Sequence, residues 1–185
     1  MRRVAAVPAG VMILAMVTLG ACSSDITTTP SSTGETGQPE QSTQSEQAER
    51  ATVGDTISLH GGLDEDLEIA VTVVSVADPA KAGRFLAPEK GSRYVALEIR
   101  LDNTGIADYD DSPTNGAVLI DEGDHQYSTW IGSGVEPTLD GSVRLAPGDQ
   151  RVGFIVFQVP KTETPRAFQF TLESGFGPET GEWTL

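Results

Sequence analysis

Along the segment that starts at Asp66, apolar and polar positions alternate. Leu67, Ile69, Val71 and Val73 fall on one side of an extended chain at period two. Arg93–Asp102 repeats the pattern, with Val95, Leu97, Ile99 and Leu101 directed inward and Glu98, Arg100 and Asp102 outward. Such alternation predicts antiparallel strands with one solvated face, because strands covered on both faces read as unbroken apolar runs. Gly116–Asp121 and Gln126–Ile131 flank the turn residues Glu122-Gly123-Asp124, which predicts a hairpin. Phe154–Val159 is apolar almost throughout and is expected to be a central strand, ended by Pro160, which has no N–H for a ladder. Phe168, Phe170 and Leu172 mark another strand, Thr56–Leu59 a first one and Glu182–Leu185 a closing one. No window of ten or more residues shows helical apolar spacing with caps. The expected fold class is all-β, an antiparallel two-sheet sandwich over residues 51–185.

The residues before this domain follow different patterns. Met1-Arg2-Arg3, the apolar stretch Val4–Leu19 and Leu19-Gly20-Ala21 are a charged region, an apolar region and a small-residue cleavage site. With Pro8 and Gly10 inside it, the stretch falls short of the roughly 20 continuous apolar residues of a bilayer span. Cys22 follows directly and is the sole cysteine. Leu19, Gly20, Ala21 and Cys22 together resemble the bacterial lipobox, which implies a signal peptide over 1–21 and diacylglycerol on the Cys22 sulfur. Two acyl chains would hold the protein to a membrane with a gross transfer energy on the order of 20 kcal/mol. Residues 22–50 then form a tether. Twelve of the 28 positions 23–50 are Ser or Thr and only Ile26 and Ala48 are apolar, so the segment cannot bury enough surface to offset its ordering entropy.

Charge narrows the partners. The whole chain carries a formal −15, and residues 51–185 alone hold 9 basic and 22 acidic side chains, a formal −13. That field repels phosphate backbones, so nucleic acid is excluded as a partner.

Several short motifs recur in one known family. They are Val53-Gly54-Asp55, Arg93-Tyr94-Val95 leading to Asp102-Asn103-Thr104-Gly105, and Leu119-Ile120-Asp121-Glu122-Gly123 with Tyr127. Leu145-Ala146-Pro147-Gly148 leads on to Gly153-Phe154 and Phe157-Gln158-Val159-Pro160. Over about residues 53–173 the chain resembles the immunoglobulin-like, telokin-like domain of unknown function carried by many Gram-positive, especially actinobacterial, lipoproteins. The resemblance implies an immunoglobulin-like sandwich and brings no catalytic residues with it. Locally, Pro147-Gly148 suits the centre of a type II turn, and Asn103-Thr104-Gly105 ends a strand with residues that tolerate positive φ.

Catalytic constellations are scarce. There is no Gly-x-Ser-x-Gly, the cysteine is committed to the anchor, and His60 and His125 stand alone beside predicted turns. Zinc would need clustered His/Cys ligands. No cofactor is expected; the one metal to weigh is Ca²⁺, a hard cation that takes six to eight oxygens. Its candidate ligands are Asp108, Asp110 and Asp111 in one loop and Asp121, Glu122 and Asp124 in another. Tyr109, Tyr127 and Trp130 are candidate ligand-binding aromatics in or beside loops, with Trp130 also suited to core or edge packing. The expected function is a lipid-anchored, extracytoplasmic binding or interaction module without catalytic turnover, held to the membrane through Cys22 and meeting a membrane or cell-wall protein. Two alternatives are an accessory or structural subunit of a membrane transporter or cell-wall enzyme, and a small hydrolase built on paired carboxylates.

Overall fold

Period-two alternation becomes two packed sheets in the structure, a computed structural model that describes residues 28–29 and 50–185. Leu19, Gly20, Ala21 and Cys22, and with them the expected signal peptide and anchor, lie outside the described residues. In chain order the strands are β1 (Thr28–Thr29), β2 (Ala51–Thr52), β3 (Thr56–His60), β4 (Glu68–Ala77), β5 (Ser92–Asn103) and β6 (Tyr109–Asp111). They continue as β7 (Ala117–Asp121), β8 (Gln126–Ser128), β9 (Val143–Leu145), β10 (Gln150–Pro160), β11 (Pro165–Thr171) and β12 (Thr180–Thr184). The first sheet runs β1-β3-β4-β5-β10 and the second β2-β12-β11-β7-β8, with β6 and β9 paired apart. All neighbours are antiparallel except β2 and β12. The all-β sandwich is therefore as the sequence predicts.

Between the sheets, Ile69, Val71, Val73, Val95, Leu97, Ile99 and Leu101 of the first face Leu119, Phe168, Phe170 and Trp183 of the second, all fully buried. The centre is aromatic. Phe168 lies edge-on to Phe157 with ring centroids 6.3 Å apart and 5.7 Å from Trp183, whose indole N–H donates to the Asp55 carbonyl at 3.0 Å. Packing of this kind contributes about 0.5–1.5 kcal/mol per pair beyond area burial. A β-bulge between Val73 and Ser75 inserts Val74, turning it to solvent and returning Val76 to the core.

Several sequence expectations are corrected. Phe154–Val159 lies in β10, the last strand of the first sheet rather than a central one. Its unbroken apolarity has another cause. Ile155, Phe157 and Val159 enter the main core, while Val156 and Phe154 pack on the outer face with Tyr94, Ala96, Ala80 and Val135. That face is covered by the segments 78–91 and 129–138, the latter bridging β10 at Thr129–Phe157 and Thr138–Phe154. The strand expected over Gln126–Ile131 stops at Ser128, where the chain turns to form that cover. Gly105 is needed for space, not for positive φ. A Cβ there would stand 2.5 Å from the Asp66 carbonyl oxygen and from the Glu68 nitrogen. Thr28–Thr29, within the segment expected to lack structure, pair with β3, whose open edge offers unpaired N–H and C=O groups.

Registers place the loops 61–67, 104–108 and 172–179 at one end of the sandwich, which also holds the Ala146-Pro147-Gly148-Asp149 turn. The loops 78–91, 122–125 and 161–164 lie at the other.

Candidate functional site

Asp121 closes β7 with a fully buried side chain, and its carboxylate is saturated. Oδ1 accepts the backbone N–H of Gly123 (2.8 Å) and His125 (2.9 Å); Oδ2 accepts the Tyr127 hydroxyl (2.6 Å) and the His125 Nδ1–H (3.1 Å). An ionised carboxylate only accepts, so Nδ1 is the donor. The Tyr127 hydroxyl leads the donors that hold the Asp121 pKa down to about 2. Burial, then the bond to Asp121, pushes Tyr127 up to about 12. Glu163, from the β10–β11 turn, brings a ligand-type atom within 4.8 Å of those of Asp121 and His125. The trio has the donor types of a zinc site. A metal there would have to displace the Tyr127 and His125 hydrogen bonds that already occupy the Asp121 oxygens. Of the other two acids of this loop, Glu122 is exposed and Asp124 pairs with Arg166. As built, the cluster is a hydrogen-bonded knot that fixes the hairpin.

The stretch Asp108–Asp111 is not the open acidic loop expected, because Tyr109–Asp111 is a strand. Asp110 accepts the Ser142 hydroxyl, which with the Arg144 ion pair keeps it below the usual carboxylate range. Asp111 turns the other way and accepts the Ser174 N–H (2.9 Å) and hydroxyl (2.6 Å). Asp108 remains exposed. The oxygens Ca²⁺ would need are thus divided among protein donors, and the two acidic segments lie in different loops. A cleft of about 550 Å³ is lined by Asp108, Tyr109, Asp110, Arg144, Leu145, Ala146 and Asp149. A general acid needs a carboxyl held up near working pH. Among the described residues the carboxyl raised is that of Asp140, by burial, and it does not line this cleft.

The aromatic candidates separate. Tyr109, expected on a loop surface, is buried in the core, and its hydroxyl makes no hydrogen bond among the described residues. Burial, and then the charge of Asp111, raises its pKa. Tyr127 is half-buried in the knot. Trp130 lies on the outer face of the first sheet with its ring 6.4 Å from that of Tyr94, while Trp183 is the tryptophan between the sheets. His60 ends β3 and its Nδ1 meets Glu179 at 3.1 Å.

What the sequence motifs miss are apolar side chains carried on loop tips. Leu63, Ile106 and Phe176 are 92%, 76% and 89% exposed, on three loops of one end. Those loops are tied together. The Ile106 N–H donates to the Asp66 carbonyl (2.9 Å), and the Glu173 carboxylate accepts the N–H groups of Gly62 (2.8 Å) and Leu63 (2.7 Å). Glu173 and Ser174 sit in the left-handed region, φ 55° and 54°, a conformation that costs an L-residue about 1–3 kcal/mol and needs surrounding support. Asp111 supplies part of that support through Ser174. The loops 61–67 and 104–108 also carry the exposed acids Asp64, Glu65, Asp66 and Asp108. A bulky apolar residue set among Gly or Asp, as in Gly62-Leu63-Asp64 and Gly175-Phe176-Gly177, is the sequence signal that marks such a tip.

A second exposed apolar group lies on the outer face of the first sheet. Phe85 is 94% exposed at φ 71°, and Leu86, Trp130 and Ile131 are also exposed on the two segments that cover this face. Its two loops are joined where Gly83 donates to the Ser133 carbonyl (2.8 Å) and where Gly83 and Gly134 meet so closely that a Cβ on either would clash with the other.

Comparison with known proteins gives the following. The family model described as Domain of unknown function (DUF4352) matches residues 63–179. No curated protein matches the chain. Among solved structures, the secreted protein MPT63 from Mycobacterium tuberculosis is similar with a TM-score of 0.53 at 12% identity, over 74% of this chain and 96% of its own. The yjhA protein from Bacillus subtilis is similar with a TM-score of 0.51 at 12% identity, over 73% of this chain and 98% of its own. At that identity the likeness concerns the fold.

Proposed function

The chain belongs to the DUF4352 domain family, whose match spans more than half of it, and from that membership and the loop geometry we propose that it is an extracytoplasmic binding module without catalytic turnover. Cys22 carries the diacylglycerol, residues 22–50 give reach, and the sandwich of residues 51–185 presents its loops away from the bilayer. The partner is a membrane or cell-wall protein with an apolar surface bordered by cations. One observation carries the reading: Leu63, Ile106 and Phe176, each at least three-quarters exposed, share one end of the domain, on loops that also carry exposed carboxylates. Exposing three large apolar side chains in water costs about 1.5–3 kcal/mol each relative to burying them. A contact that covers them recovers this, and the loop carboxylates steer a cationic partner toward it.

The test is site-specific cross-linking in intact cells, with a photoreactive residue at position 176 and, as control, at Val74 on the far face of β4. A discrete adduct from position 176 that is lost in a Leu63→Ser/Ile106→Ser background supports the module. Absence of any adduct from positions 63, 106 and 176 sinks it. An adduct with a single stoichiometric transporter or wall enzyme would identify the module as an accessory subunit of that complex. The anchor is read separately: a Cys22→Ser variant is expected to lose incorporation of labelled fatty acid and to leave the membrane fraction.

A further inference from the structure

The edge of the first sheet is taken by a piece of the tether. Thr28 and Thr29 pair antiparallel with Ile57 and Thr56 of β3, whose other side is paired to β4 along its whole length. The chain itself favours this segment. Ile26-Thr27-Thr28-Thr29 is an unbroken run of β-branched residues, the type enriched in strands, and Pro30 cannot donate to a ladder. Between residues 31 and 50 the β-branched residues are Thr33, Thr36 and Thr43, each alone. At the far end of β3 the edge is met from within the domain, where the His60 N–H donates to the Glu179 carboxylate at 2.9 Å.

The pairing also has a direction. Because it is antiparallel, the N-terminal side of β1 points the way β3 runs, toward His60 and the loop 61–67. That is the end bearing Leu63, Ile106 and Phe176. Thr28 is six residues from Cys22, a span of at most about 20 Å. Without the pairing, 29 residues separate Cys22 from Ala51, a span of up to about 100 Å.

We propose that Thr28–Thr29 is a strap: docked on the edge of β3 it holds the apolar-tip end toward the bilayer, and released it frees the domain to the full tether. The inference rests on the anchored-module reading and refines it by fixing where the partner lies. In the docked state the tips are offered to a membrane protein whose extracytoplasmic surface stands within about 20 Å of the lipid, the reach that six residues allow. The bilayer itself is a poor occupant, since Asp64, Glu65, Asp66 and Asp108 on the same end are repelled by an anionic leaflet. Two residues of ladder work against the entropy of closing residues 30–50 into a loop, which keeps the docking reversible.

Energy transfer from the full lipidated chain to an acceptor-labelled lipid in phosphatidylcholine vesicles tests it. With Cys22 lipidated, a Phe176→Cys or a Thr162→Cys variant offers one thiol for a donor dye, at the tip end or at the opposite end. The two ends stand about 35 Å apart, the length of an 11-residue strand, so transfer from position 176 is expected to exceed that from 162 at least about twofold. Thr28→Pro/Thr29→Pro removes the strap's two backbone donors and is expected to erase that difference. The same variant should speed hydrogen exchange in β3 while leaving the amides between β4 and β5 protected, which shows that the domain stays folded. Equal transfer from both positions in the otherwise unchanged chain, or transfer and exchange that ignore the prolines, would overturn the proposal. Sedimentation with the vesicles reads the anchor separately. A chain that stays in the supernatant overturns the anchored reading and the membrane-facing role of the strap together, whereas one that sediments with equal transfer overturns the strap alone.

Discussion

Tyr109 and Asp121 show how little residue type alone says about role. Both stand beside acidic stretches, and both are buried; among the described residues one lacks a partner for its hydroxyl while the other has four donors on one carboxylate. A buried polar group left without a hydrogen bond costs about 1–3 kcal/mol. Tyr109→Phe removes that cost and keeps the ring, so urea denaturation is expected to show unchanged or increased stability, by up to about 1 kcal/mol. A clear loss would mean that the hydroxyl has a partner that matters. For Asp121 the pKa falls from 3.8 to about 2 on folding. A depressed carboxylate stabilises the fold above its unfolded pKa, and that stabilisation is lost as pH falls through the folded one, because the unfolded chain takes up the proton first. Melting temperature should therefore drop between about pH 4 and pH 2, with Asp110 adding in the same direction. Asp121→Asn should flatten that part of the profile; an identical profile in the variant would remove Asp121 from the account. Tyr127 acts at the other extreme, since its raised pKa means stability lost as pH climbs from 10 toward about 12.

Among the elements, the turn after β11 does more than connect strands. Its left-handed Glu173 carries the carboxylate that holds Gly62 and Leu63, so one strained residue sets the position of the Leu63 tip. Hydrogen bonds to a charged acceptor contribute about 1.5–3 kcal/mol. Glu173→Ala is expected to expose the amides of Gly62 and Leu63 to faster hydrogen exchange and to lower stability by about 1–3 kcal/mol. Glu173→Gly relieves the backbone strain while still losing the carboxylate. It should show the same loss of amide protection with a smaller loss of stability. Protection unchanged in both variants would show that the loop is held by other means. β10 gives a complementary lesson. Its apolar run reflects cover on two faces, and position within the sheet cannot be told from such cover by sequence, since a cap of irregular segments buries side chains as well as neighbouring strands do.

At the scale of the molecule, apolar and charged surface are distributed unequally. One end offers apolar tips on loops that also carry exposed acids, the loops over the outer face of the first sheet expose Phe85, Leu86, Trp130 and Ile131, and the knot around Asp121 closes the other end. Strand positions and inward faces could be read along the chain wherever alternation persists, as at Val95–Leu101, because a half-buried pleat imposes period two on any sequence that forms it. The lipobox-like residues and the net charge are likewise properties of the chain itself. Tertiary structure alone decided the rest. It buried Tyr109 and Trp183 while leaving Trp130 near the surface, spent Asp110, Asp111, Asp121 and Asp124 on protein donors, and gathered Leu63, Ile106 and Phe176 from loops far apart in sequence. The physical reason is that periodicity reports which side of its own strand a residue occupies, whereas partners and exposure depend on segments that meet it only after the sheets have packed.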